Sequence, residues 1–172
     1  KQFTKDDPDR RTNMVLLAKN FQGYKNLAKL SSLGYTNGYY AGVPRISKKQ
    51  IAEYKENLIA VTAGIYGDVP NAILNFGEQK GEEVFLWWKE QCGDDFYVQI
   101  QNHDIEEEEH LNEVLLELAD KHDVKILAQN ETFYTKKEDA KIQDIITCIK
   151  DGERVSTPIG KGFGKRKGLA ND

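Results

Sequence analysis

The residues with the clearest chemical potential lie between Ile126 and Tyr134, where the apolar Val124, Ile126 and Leu127 give way to Gln129, Asn130, Glu131 and Thr132. In parallel α/β folds, side chains that bind metal or act on substrate project from the C-terminal ends of strands. The change from apolar to polar therefore marks a candidate strand-end site. Zinc and similar ions want carboxylate, imidazole or thiolate, and this stretch offers one carboxylate, Glu131, beside a phenyl ring, Phe133. The histidines do not help: His103, His110 and His122 flank or lie on one acidic segment, with no H-x-H or H-E-x-x-H pattern. Cys92 and Cys148 lack the paired spacing of a zinc site and read as free thiols in a reducing cytoplasm. A second candidate is the run from Gly160 to Gly168, G-K-G-F-G-K-R-K-G. Lys161, Lys165, Arg166 and Lys167 suit phosphate, and Phe163 suits stacking on a base. Against that, the run follows no strand, lacks the G-K-[ST] ending of a phosphate loop and has the composition of a flexible linker.

The elements that must position these residues alternate between strand-like and helix-like patterns, which predicts an α/β fold with a largely parallel sheet. Four strands are expected: Met14 to Ala18, Leu58 to Thr62, Phe96 to Ile100, and the run at Val124 to Leu127. Tyr24, Leu27, Ala28, Ser31 and Tyr35 recur at helical spacing, and Ser47 is a suitable N-cap for a short helix to about Lys55. Asp68 is expected to cap the next helix, with Pro70 in its first turn. Glu78 to Gln91 forms a further helix; adjacent residues point about 100° apart, so at most one of Trp87 and Trp88 faces the core fully, the other suiting a domain seam. From Ile105 to Lys121, Leu111, Val114, Leu115, Leu118 and Ala119 form one buried stripe. Asp104 with Glu107 has capping-box spacing, and the acidic run Glu106 to Glu109 reads as helix-dipole stabilisation. The last helix, Lys137 to Lys150, carries Ile142, Ile145, Ile146 and Ile149 on one face and stops at Asp151-Gly152. Residues 1–12 read as a polar arm, 13–150 as the domain and 151–172 as a Gly- and Lys-rich exit segment. The polar start without an initiator Met reads as that of an excised fragment.

The 172 residues carry a formal charge of -4, which argues against a general nucleic-acid surface and leaves room for a local patch. No apolar run approaches the roughly 20 residues of a membrane-spanning helix, so no membrane partner is expected.

Several spaced motifs resemble the PHP (polymerase and histidinol phosphatase) domain of bacterial DNA polymerase III alpha subunits. Met14-Val15-Leu16-Leu17-Ala18-Lys19-Asn20 with Gly23-Tyr24-Lys25-Asn26-Leu27 is similar to H-L-x-L-L-A-K-N-x-x-G-Y-x-N-L. Tyr35-Thr36-Asn37-Gly38-Tyr39-Tyr40 with Pro44-Arg45-Ile46 is similar to A-Y-T-E-G-F-Y and P-R-I/V-D. Leu58 to Gly64 and Gly67-Asp68-Val69-Pro70 resemble L-I-A-L-S-G-C-L-G-G-E-I-P. Asp94 to Tyr97 with Gln101-Asn102-His103 resembles D-D-F-Y-L-E-L-Q-D-H, Ala128 to Tyr134 resembles A-T-N-D-x-H-Y, and Cys148-Ile149 before Asp151-Gly152 resembles C-I-x-x-G.

The resemblance implies a partial, distorted (β/α) barrel with about four parallel strands and flanking helices. It also implies a metal site whose ligands within this stretch have changed: the family histidine before the first strand is Asn13, the cysteine after the second is Gly64, and the aspartate and histidine of the last motif are Glu131 and Phe133. No catalytic residue and no metal are then expected in this chain, with Phe133 filling the space of the ion; Mg is expected in a polymerase palm downstream of Asp172. The implied role is scaffold and docking platform in a replicative DNA-directed DNA polymerase. The implied partners are the proofreading exonuclease subunit, other replicase holoenzyme subunits and, through the parent chain, primer–template DNA. The rival reading is a residual metallophosphoesterase or 3′-5′ exonuclease using Glu131 with upstream histidines.

Overall fold

The computed structural model describes residues 11–103, 106–160, 164–166 and 168. Among these residues four strands, β1 (Val15–Ala18), β2 (Leu58–Val61), β3 (Phe96–Ile100) and β4 (Lys125–Ala128), form one sheet in the order β1-β2-β3-β4. Among the described residues six α-helices accompany them: α1 (Phe21–Thr36), α2 (Lys48–Glu53), α3 (Asp68–Phe76), α4 (Glu78–Cys92), α5 (Glu106–Lys121) and α6 (Ala140–Asp151). The Asp104–Glu107 capping box lies partly outside the described residues.

The expectation of four parallel strands needs correction. Strands β2, β3 and β4 run parallel, but β1 is antiparallel to β2, with Ala18 opposite Leu58 and Val15 opposite Val61. The cause is the connection. A single crossover helix carries the chain to the opposite end of a sheet and yields a parallel neighbour, whereas residues 19–57 leave and return at the same corner. Lys19 N–H donates to the Asn57 carbonyl at 2.9 Å, and Asn20 Nδ2 donates to Asn57 Oδ1 at 2.9 Å.

Local chemistry sets the helix ends. Asn20 caps α1 by accepting from Gly23 N–H at 3.0 Å, and Ser47 forms a full capping box with Gln50. Asp68 is not the cap expected of it: Gly67 holds that position, and Asp68 is the first helical residue. Its carboxylate instead accepts from Thr12 Oγ1 at 3.0 Å and Trp88 Nε1 at 2.9 Å and pairs with Lys48 at 2.7 Å. Helix α6 ends where Gly152 turns left-handed at φ 70°, a conformation that costs little without a Cβ.

The core lies against one face of the sheet, where Ala60, Phe96 and Val98 meet Phe85 and Trp88 of α4 and Leu111, Leu115 and Leu118 of α5. Phe85 and Phe96 pack edge to face at 5.1 Å, a favoured aromatic geometry. Trp88 is the fully buried member of the tryptophan pair, while Trp87 lies part-buried with Lys48 over its ring at 5.0 Å. Helix α6 differs from the other long helices. Its apolar face forms as the spacing predicts, but Ile142, Ile145, Ile146 and Ile149 are all exposed, and among the described residues no strand packs extensively on α6.

The segment after α6 is not the free linker its composition suggests. Ile159 bridges Arg166, and the Arg166 guanidinium makes two hydrogen bonds to Asp144 on α6, at 2.6 and 2.8 Å, plus one from Nε to the Thr157 carbonyl. The guanidinium holds the Asp144 carboxyl below its usual range, against an opposing contribution from burial. A carboxyl with a depressed folded pKa contributes stability that is complete above its unfolded value, about 3.9, and disappears as pH falls through the folded one. The amides of Gly160 and Arg166, hydrogen-bonded to Arg166 and Pro158 carbonyls, should therefore lose hydrogen-exchange protection below about pH 4, ahead of the β3 amides. Uniform protection down to global acid unfolding would contradict the clasp.

Candidate functional site

The antiparallel β1 has a direct consequence for the candidate site. In an all-parallel sheet, a residue before β1 would sit at the end opposite the residues that follow β2 and β4. With β1 reversed, Asn13 arrives at the same rim as Gly64. Asn13 N–H donates to the Tyr66 carbonyl at 2.8 Å, the Asn13 carbonyl accepts from Asp68 N–H at 3.0 Å, and Asn13 forms a bridge with Gly67. Those bonds bind the chain before β1 to the turn after β2, and Gly67 N–H closes that turn on the Gly64 carbonyl at 2.6 Å.

The ends of β3 and β4 are joined by a reciprocal amide clip. Asn102 N–H donates to Asn130 Oδ1 at 2.9 Å, and Asn130 Nδ2 donates to the Asn102 carbonyl at 2.7 Å. The side chain thus replaces the next rung of the ladder after Gln129 N–H has bonded to the Ile100 carbonyl. Under this rim Gln101 is buried, its own carbonyl accepting from Asn112 Nδ2 of α5 at 2.7 Å. Gln101 Oε1 stands 2.2 Å from where a Cβ on residue 64 would lie. Only glycine admits that approach.

His103 and Glu108 complete the rim. Glu108 is buried on α5 and accepts from His103 N–H at 2.7 Å, while its other oxygen lies 2.8 Å from His103 Nδ1. Glu106 to Glu109 do fill the first turn of α5, as helix-dipole stabilisation requires, and Glu108 has this further role. The overlooked signal is its phase: Glu108 precedes Leu111 and Leu115 by three and seven residues and so shares their buried stripe. Gly64, Gln101, Glu108 and Asn112 together border a cavity of about 10 Å³, the scale of a single water.

Of the four positions singled out in the sequence, Asn13 and Gly64 converge on one turn, whereas Glu131 and Phe133 lie exposed on the loop after β4. Phe133 is 66% exposed and does not fill a metal-sized space as expected. The loop turns outward after the Asn130 clip, and the buried side chain beside Gly64 is Gln101. The four positions do not fit a zinc-type donor set: glycine and phenylalanine have no donor atom, and Glu131 supplies the one carboxylate. Among the described residues, no three His, Cys, Asp or Glu side chains gather closely enough to hold an ion.

The basic tail divides in the structure. Of the residues proposed to meet phosphate, Arg166 is turned inward onto Asp144 and only 5% exposed, whereas Lys165 is exposed. Lys161, Phe163 and Lys167 lie outside the described residues. Among those residues, no helix is long and apolar enough to cross a membrane.

Gly64→Ala tests the close approach beneath the rim. Forcing Gln101 from an enclosed position should cost about 1–3 kcal/mol, the usual scale of overpacking. Adding Gln101→Ala should recover much of that loss in urea unfolding. A double variant no more stable than Gly64→Ala would show that the two residues do not compete for the space.

Residues 2–103 match the family described as PHP domain. Over most of its length the chain is also similar to curated proteins named DNA polymerase III subunit alpha. The protein from Borreliella burgdorferi is 40% identical over 84% of this chain and 12% of its own length. That from Campylobacter jejuni is 35% identical over 87% of this chain and 13% of its own, and that from Thermus aquaticus 33% over 85% and 12%. The chain therefore spans about an eighth of the length of these relatives.

Proposed function

This chain belongs to the PHP domain family, and from that premise we propose that it is part of the PHP domain of a replicative DNA polymerase alpha subunit, serving as scaffold and docking platform without metal-dependent chemistry of its own. The observation that carries the reading is the rim: Asn13 and the turn from Gly64 to Gly67 keep a tight backbone geometry, while the donor types at positions 13, 64 and 133 are absent. Nucleotidyl transfer, with its Mg ions, belongs in this reading to a palm outside this chain. The proofreading exonuclease subunit is the proposed docked partner, other replicase subunits and primer–template DNA being reached through the parent chain, in the cytoplasm.

The test is made on the complete protein that carries this chain. Purified without chelators, it should hold no stoichiometric Zn or Mn attributable to this domain, and it should bind the exonuclease subunit in a pull-down with purified components. Stoichiometric metal together with phosphodiester hydrolysis abolished by Glu131→Ala would favour the residual metallophosphoesterase and sink the scaffold reading. Absence of any association with the exonuclease subunit would remove the docking role.

A further inference from the structure

Charge is distributed very unevenly along this acidic chain. From Arg11 to Ala52 there are seven Lys or Arg residues and no Asp or Glu. Helix α1 lies wholly inside that stretch and presents an outer face built at helical spacing from Phe21, Tyr24, Lys25, Ala28 and Tyr35, all exposed. The aromatic rings on it are far more open than core aromatics: Phe21 is 69%, Tyr24 62% and Tyr35 62% exposed, and Tyr39 just beyond the helix is 56% exposed.

The rings are arranged in two stacked pairs, one at each end of the helix. Phe21 and Tyr24 lie 6.2 Å apart with planes 15° from parallel, and Tyr35 and Tyr39 lie 6.0 Å apart at 20°. Lys25 Nζ sits 4.9 Å from the centre of the Phe21 ring, and Lys29 is exposed one turn on. Lys19 and Lys48 are paired with Asp95 and Asp68, so Lys25 and Lys29 supply the face with its cations. At 1.5 Å per residue, the stripe from position 21 to 35 is about 21 Å long.

We propose that this face of α1 binds a short single-stranded nucleic acid, its bases stacking on the two aromatic pairs and its phosphates meeting Lys25 and Lys29. Open aromatic faces interleaved with cations are the general means of holding single strands without sequence preference, because every base has a π face. A helix that itself carries cations and no carboxylate matches a polyanion. Two lysines are too few for a duplex-binding surface, so affinity rests more on stacking than on charge and its salt dependence is shallow, at about 0.7 per phosphate neutralised. The proposal is independent of the metal reading, since no residue of the rim takes part.

The experiment uses the complete protein that carries this chain, photocrosslinked to an oligothymidylate bearing 5-iodouracil, with the attached peptides identified by mass spectrometry. Crosslinks are expected in the tryptic peptides spanning residues 20–25 and 30–45. The double variant Phe21→Ala/Tyr24→Ala should lower yield in the first peptide about tenfold, within the range for loss of one stacking platform, and Lys25→Glu/Lys29→Glu, which removes both cleavage sites and leaves one peptide of residues 20–45, should lower the yield of that joined peptide below the combined yield of the two. These side chains are exposed, so an unchanged thermal unfolding profile accompanies each variant. No crosslink in either peptide, or yields unmoved by both double variants, overturns the proposal. Protection of Tyr24 and Tyr35 from hydroxyl radicals in the free protein would also overturn it, showing a face covered by protein.

Discussion

Replacing Trp88 with alanine is expected to lower the unfolding free energy by about 3–5 kcal/mol, the range for a buried Trp cut back to a methyl group. A typical domain holds only about 5–15 kcal/mol in total, so this single change should bring the protein near the unfolding threshold. Trp88 is 1% exposed and packs in the cluster containing Phe85, Phe96, Val69 and Ile73. Its loss also removes the Nε1 donor from Asp68, at the start of α3 beside Asn13. Trp88→Phe separates the two contributions: most of the packing remains, and the lost hydrogen bond, made to a carboxylate, should cost about 1.5–3 kcal/mol. Urea midpoints at unchanged slope provide the measurement. Equal losses for the two variants would show that packing is not the larger contribution.

The second large effect is expected at Glu108. Glu108→Ala leaves the His103 N–H and its ring without their acceptor in a part-buried position, a cost of about 1–3 kcal/mol before any added loss of packing. Glu108→Gln retains one acceptor oxygen and most of the shape, so it should be milder. Backbone chemical shifts distinguish a local from a general effect: perturbation should concentrate at Gln101 to His103 and at Asn130, through the clip joining β3 to β4. Shifts spread evenly through the sheet would argue that Glu108 does not organise the rim.

Much of this architecture was legible because its cause was local. Phe96–Ile100 is a strand as its run of residues predicts, Ser47 caps α2 because Gln50 completes its box, and Leu111, Leu115 and Leu118 face the core as their spacing requires. What was not legible depends on distant residues. Nothing within V-L-L-A states which way β1 will run; that follows from where residues 19–57 return. Arg166 looked like a tail cation because its partner, Asp144, lies on a different element, and Glu108 was hidden among three neighbours of the same type. Ile142, Ile145, Ile146 and Ile149 show the converse: a helical pattern predicts a face without naming what meets it.

At the candidate site, residue types were readable and positions were not. The substitutions at 13, 64, 131 and 133 followed from the family resemblance, but the exposure of Phe133 and the occupation of the space beside Gly64 by Gln101 appeared only in three dimensions.

The pinched corner at Lys19, Asn20 and Asn57 makes the excursion from α1 to α2 nearly autonomous in length. Because it leaves and rejoins the sheet at one point, residues can be gained or lost in the loop between these helices without altering the register of any strand or displacing the rim. Each doubling of such a loop costs only about 0.6 kcal/mol in closure entropy. Insertions and deletions among homologous chains should therefore accumulate between Asn37 and Ile46, while the spacing from Asn57 to Asp68 stays fixed.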